Sequence, residues 1–388
     1  MNLTKSNVVL AVLAVGLAVP TFLQLQKDRA TFVDVARVPL LFDGFTADNC
    51  GLITLRQPKA EQPTAEPPPG QQKQIAYDEI VFARTDKGWV FAKGDLKLAP
   101  VSKERVEADV LTHLRTIRFD RESLVVADAS PEQLERYGLD PAHAFVVEAR
   151  GGDRGQSVVA DLLVGIDAGK GQTGTDAVRG VFVRKSDSND VILYESERPM
   201  QRSVQTELWL DKVLAKLQLD KIMRFSLQNA ATGQPVAFTR SEGKASWTAV
   251  ETPPGLGAVR QGEVEALLQR LRWIAAQDFR VPLQDANLPQ LGLQPPQLRI
   301  EVVVREGDRD RKIQLAVGNK LDDKAEYYLT CNESSFLMTW PASSVVPFEI
   351  DGKTLFDPAA PVAPVEPAEP KPGDEKKDEK KDDEKKPG

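Results

Sequence analysis

The chain has only two cysteines, Cys50 and Cys331, far apart and in no Cys-x-x-Cys spacing that could pinch a zinc ion. Two unrelated thiols are therefore expected. It has only two histidines, His113 and His143, which removes most routes to a histidine metal site or a catalytic triad. There is no excess of positive charge either: 50 basic residues face 57 acidic ones, for a net charge of −7, so nucleic acid is excluded as a general partner. What is present is the makings of a folded core. An apolar fraction of 41% and a charged fraction of 28% are those of a water-soluble globular protein, and 388 residues suggest two domains.

From Val8 to Leu25 the chain is nearly uncharged, bounded by Lys5 on one side and by Lys27, Asp28 and Arg29 on the other. At about 1.5 Å per residue a helix of this length just crosses a thin hydrocarbon core. Residues 1–30 are read as a single-pass anchor in the cell membrane, with a short cytoplasmic end and the bulk of the chain extracytoplasmic, hence periplasmic. A cleaved signal peptide is the rival reading, but no clear Ala-x-Ala site follows the run. At the other end, residues 357–388 become Pro-rich and then a mixed Lys/Glu/Asp run without an aromatic residue, which predicts a disordered tail.

Between these ends the sequence repeats itself. Leu52–Leu55, Glu79–Arg84 and Gly88–Val90 in the first copy read as strands, the last around Trp89. Met223–Leu227, Val236–Arg240 and Ser246–Thr248, the last around Trp247, read the same way in the second. A helix follows in each, with Val110, Leu111, Leu114 and Ile117 matching Leu267, Leu268, Leu271 and Ile274 at one constant shift. His113 lies beside that stripe and reads as a boundary residue.

The next signature is a short helix closed by glycine and stopped by proline: Gly138-Leu139-Asp140-Pro141 and Gly292-Leu293-Gln294-Pro295. Strands follow in both copies, including Val164-Gly165 and Val317-Gly318, and two further strands end each unit. Leu210, Val213, Leu214 and Leu217 have the spacing of an amphipathic connecting helix. The expected units are therefore 33–218, including that helix, and 219–356. The order β-β-β-α-β-β-β-β in each excludes an alternating parallel sheet and predicts an α+β fold with mainly antiparallel strands.

Taken together, the anchor, the Trp hairpins, the helix, the two Gly-Leu-x-Pro turns and the Val-Gly pairs resemble the bacterial family catalogued as domain of unknown function 4340. The resemblance implies a membrane-anchored, duplicated α+β domain with no established catalytic residues, and an accessory role beside gliding-motility-type ABC export components.

Local strings that could suggest chemistry do not assemble a site. Leu162–Gly171 looks like a strand running into a phosphate loop, but it has three residues between its glycines where a Walker loop has four, and no Ser or Thr after Lys170. Asp322, Asp323 and Glu326 lack calcium-loop spacing and read as solvated hairpin charge. Ser334, Ser335, Ser343 and Ser344 have no nucleophile context, and the Asn332-Glu333-Ser334 sequon has meaning only where glycosylation occurs. Trp209 and Trp340 read as core residues. No catalytic, cofactor or metal residue is assigned, no cofactor is expected, and the chain is expected not to be an enzyme. The functional expectation is a non-enzymatic binding or scaffold protein at the membrane, accessory to an ABC-type membrane complex through a protein partner. The alternative is an extracytoplasmic hydrolase or ligand-binding protein, with its site in the cleft between the repeats.

Overall fold

The computed structural model describes residues 39–60, 75–152, 155–169, 180–241 and 243–359. The apolar run at 8–25, the Pro-rich insertion at 67–69 and the charged tail from residue 360 lie outside them. Among the described residues no helix is long and apolar enough to cross a membrane.

Alternating apolar residues build two eight-stranded sheets. The first contains β1 (Cys50–Pro58), β2 (Tyr77–Thr85), β3 (Gly88–Phe91), β4 (Leu124–Val126), β5 (Phe145–Gly151), β6 (Ser157–Ala168), β7 (Gly180–Lys185) and β8 (Val191–Glu195). Its spatial order is β3-β2-β1-β5-β6-β7-β8-β4. The chain continues through β9 (Val213–Lys216), β10 (Ile222–Asn229), β11 (Val236–Thr239), β12 (Thr248–Ala249), β13 (Leu256–Val259) and β14 (Trp273–Ala275). It ends in β15 (Asp278–Pro282), β16 (Leu298–Glu306), β17 (Arg309–Lys320), β18 (Glu326–Cys331), β19 (Phe336–Pro341) and β20 (Phe356–Pro358). The second sheet has the order β12-β11-β10-β16-β17-β18-β19-β15, the first order again, strand for strand. Its pairings, like those of the first, are antiparallel. In β16 the period is two: Leu298, Ile300, Val302 and Val304 are buried while Arg299 points to solvent.

The class is thus mostly antiparallel β with few helices, and the duplication is visible in the topology. The core face of each sheet carries one helix. In the first copy it runs through Lys103–Val106, a π turn at Glu107–Leu111, and Thr112–Thr116; in the second it is Gln261–Arg270. Val110, Leu111 and Leu114, and their counterparts Leu267, Leu268 and Leu271, are all buried, each side chain contributing about 1.5–3 kcal/mol. Ile117 and Ile274 are buried too, but on extended backbone just past the helix, where the leading segment of each copy pairs. Leu41 donates to Ile117 in the first copy, and Ala215 pairs with Ile274 in the second.

Several local expectations are corrected. The segment Leu210–Leu217 is not a helix: after a short turn of helix at Thr206–Trp209 it is extended. Its spacing satisfies a helix equally well, but both of its halves find distant strand partners. Val101 bridges to Leu210, and Asp211 donates to Pro100; from the next residue on, the backbone pairs with 272–276, Ala276 donating to Lys212 and Leu217 to Arg272. The second copy ends the same way, with Val259 paired to Phe356, so Asp357 and Pro358 belong to a strand and not to the tail. An eighth strand per sheet, β4 and β15, closes the far edge and was not foreseen. The turn at 287–293 is a hydrogen-bonded turn and not a helix, with Gln290 donating to the Asn287 side chain. The first copy has Pro131–Arg136 there, capped by Ser130 and Gln133.

The Gly-Leu-x-Pro turns are nevertheless equivalent. Leu139 donates to the Leu134 carbonyl and Gly138 to Glu135, as Leu293 donates to Leu288 and Gly292 to Pro289. Gly138 and Gly292 have φ of 65° and 67°. Each turn docks on the Val-Gly strand of its own copy: Ile166 donates to Tyr137 and Asn319 to Leu291. A Cβ on Gly165 would stand 2.1 Å from the Tyr137 carbonyl, and one on Gly318 2.2 Å from that of Leu291. Both glycines lie inside long strands, not in a hairpin loop.

Candidate functional site: hollows of the second copy

Because the copies share one fold, the first is an internal reference for the second, and they differ where their surfaces are filled. On the outer face of the first sheet, Tyr137 and Phe182 pack at a tilt of 57° with ring centres 4.6 Å apart over Leu134, Leu139, Val146 and Leu163, forming a small second core. In the second copy the residue before the turn glycine is Leu291, not Tyr137, and Tyr328 follows Tyr327 where Phe182 follows Val181. The smaller side chain leaves a hollow of about 390 Å³ lined by Val281, Leu291, Leu321, Tyr328 and Leu337, with Arg280, Asp323 and Lys324 on its rim. Arg280 stands 3.9 Å from both Asp278 and Glu326, short of hydrogen bonding, and its Nε is buried without a partner. Asp322 and Asp323 are exposed, as solvated hairpin charge should be, whereas Glu326 is largely buried and its Oε2 has no hydrogen-bond partner.

A second difference lies at the end of the sheet on its core face. In the first copy Met200 is buried, and Arg202 donates to the Gly165 carbonyl at 2.6 Å and to Asp167 at 2.6 Å. Counting back from the matched pairs Val101–Leu210 and Val259–Phe356, the counterparts are Val346, 54% exposed, and Phe348, which has turned inward to stack on Trp340. A hollow of about 340 Å³ remains, bordered by Gly318, Tyr327, Val345 and Glu349 among others.

The helices differ in the same sense. His113 is not a boundary residue but fully buried: its Nδ1 meets the Tyr194 hydroxyl at 2.9 Å, and that hydroxyl also meets Thr116 at 2.9 Å. Burial pushes its pKa down, Asp109 pulls it up, and Arg198 opposes Asp109. One turn earlier, buried Asp109 pairs with Arg198 at 2.5 Å. At the matched positions the second copy has Ala266 and Arg270, which border a hollow of about 360 Å³ between the helix and Pro347, Ile350 and Thr354. A hollow in the first copy, of about 240 Å³ beside Leu40, Phe119 and Ile192, is smaller than these. Each of the four is lined from a single copy.

The other sequence candidates have structural roles. Trp209 and Trp340 are core residues, and Trp209 packs 5.1 Å from Phe82. Cys50 and Cys331 are buried free thiols, and burial raises the Cys50 pKa to about 11. His143 sits at the surface against Asp140, 2.6 Å away. Asn332 ties its hairpin to the backbone of Lys312 and Gln314. Among the described residues no group of His, Cys, Asp and Glu could hold a metal. The hollows escaped the sequence, although the matched Gly-Leu-x-Pro turns put Tyr137 against Leu291 and so carried the signal of the one at Leu291.

No curated protein and no solved structure matches the chain. Residues 94–282 match the family model described as a domain of unknown function (DUF4340). That window starts before the first copy's helix and ends at the edge strand β15, so it covers the later part of one copy, the junction and the earlier part of the next. Over this span the chain is similar to the DUF4340 family.

Proposed function

We propose that this is a non-enzymatic binding protein, held at the membrane by its N-terminal run with the duplicated region outside the cytoplasm, and that it serves an ABC-type membrane complex by engaging a protein partner through its second copy. The observation that carries the reading is the hollow at Val281, Leu291 and Tyr328, where the same fold in the first copy is closed by a tyrosine. Apolar floors with a charged rim are where partner side chains anchor. The anchor and the class of complex rest on the apolar run and on what accompanies this family.

The test places a photo-crosslinking amino acid at Val281 in the full chain, in intact membranes, with and without Leu291→Tyr. This substitution restores the first copy's filling without touching the core. The expected result is a discrete crosslinked partner that Leu291→Tyr removes while the melting temperature holds. An equal crosslink in both proteins would show that the hollow is not the docking point.

A further inference from the structure

The hollow beside Gly318 differs from the one at Leu291 in its chemistry. One wall is apolar, made by Leu298, Val317 and Val345, and the rest carries Asn229, Gln297, Tyr327 and Glu349. Each amide has one donor engaged, Gln297 Nε2 on Asn319 at 2.6 Å and Asn229 Nδ2 on the Ile350 carbonyl at 3.5 Å, and Asn229 Oδ1 accepts from Ala231. Glu349 has no ion-pair partner among the described residues, and burial, then a hydrogen bond with Glu349 and that carboxylate's charge, push the Tyr327 phenol pKa up. The Glu349 carboxylate and the Gly318 carbonyl are the acceptors that border the space.

The first copy shows what such a place holds. There Arg202 lays its stem along the sheet end and gives its guanidinium to the Gly165 carbonyl and to Asp167. In the second copy Phe348 has left that position, Lys320 stands in the place of Asp167, and Glu349, in the place of Ser203, supplies the nearby carboxylate. The counterpart carbonyl, Gly318, receives no side-chain donor among the described residues. A cationic fork on an aliphatic stem matches this arrangement, because charge-assisted donors pair with the carboxylate while the stem covers the apolar wall.

We propose that the hollow bounded by Gly318, Tyr327, Val345 and Glu349 is a binding site for a guanidinium or primary ammonium group on an aliphatic stem, taking from outside what the first copy supplies as Arg202. Free alkyl cations and arginine or lysine side chains share this chemistry. The site is independent of the partner-docking hollow at Leu291, so either can fail without the other.

The experiment titrates the full chain in detergent with three probes at matched ionic strength: agmatine, an acetylated and amidated Gly-Arg-Gly tripeptide, and the same peptide with citrulline. Saturable binding of agmatine or the arginine peptide is expected, with the neutral citrulline isostere and the Glu349→Gln variant each weaker by about tenfold or more. Tighter binding of agmatine assigns a free cation; tighter binding of the tripeptide assigns a protein side chain. The surface position of Glu349 leaves Glu349→Gln folded, which an unchanged melt verifies. Equal binding of the citrulline peptide, undiminished binding by Glu349→Gln, or no binding of either cation up to about 10 mM would each overturn the assignment.

Discussion

Adding one methyl group at Gly165 should unfasten the turn that closes the first copy's outer face. A Cβ there lies 2.1 Å from the Tyr137 carbonyl oxygen and 3.0 Å from Leu139 Cγ, so the oxygen is about 1 Å inside normal contact and belongs to backbone that cannot rotate away. Relief requires the turn to lift, which loosens the 3.0 Å bond from Ile166 to Tyr137 and draws Leu139 out of its packing. Overpacking of this kind costs about 1–3 kcal/mol and the weakened hydrogen bond about 1 more, giving roughly 3 kcal/mol for Gly165→Ala. For a cooperative unit of this size the melting temperature should fall by about 6–12 °C. Hydrogen exchange read by mass spectrometry should show protection lost in Pro131–Arg136 and β6 and kept in β16 and β17. Gly262→Ala is the control, since a Cβ there meets nothing within 4 Å inside a helix, and it should gain about 0.5–1 kcal/mol. A Gly165→Ala protein melting within about 2 °C of its parent would refute the docking argument.

The pH dependence should carry the signature of His113. Burial depresses its folded pKa below the unfolded value, so the native state favours the neutral ring; that stability is complete above about pH 6.5 and is lost as the pH falls toward the depressed pKa. Asp109, Arg198, Tyr194 and Thr116 are the groups facing it, and melts of His113→Gln between about pH 7 and 5 should be flatter than those of the parent. A parent slope that survives the substitution would assign the acid sensitivity elsewhere. Removing residues 360–388 should shift the melt by less than about 2 °C, whereas a cut before Phe356 removes a buried ring worth about 3–5 kcal/mol and the partner of Val259, and should lower it by more than about 6 °C. Equal melts for the two truncations would show that β20 contributes nothing.

The sequence disclosed the parts of the fold whose causes are local. Alternation in β16, the Leu267–Leu268–Leu271 stripe and the positive φ at Gly138 and Gly292 each follow from a few neighbouring residues. Leu210–Leu217 was misread because its conformation is decided by partners at 100–102 and 272–276, which no local period reveals. β4 and β15 were missed because short edge strands carry too little alternation to be read. The hollows were illegible for a different reason: a hollow is a volume, and Phe348 turning inward while Arg202's counterpart position empties depends on what surrounds both.

The junction between the copies has a mechanical corollary. Asp211 is bonded back to Pro100, and the very next carbonyl, that of Lys212, is bonded forward to Ala276, so the backbone has no slack between one copy and the other. Tension applied between the two ends of the chain crosses this point through the covalent backbone and loads the hydrogen bonds on both sides. Extension at the junction should therefore come only with the peeling of strand pairs, and a flexible insert after Asp211 would convert a taut splice into a hinge.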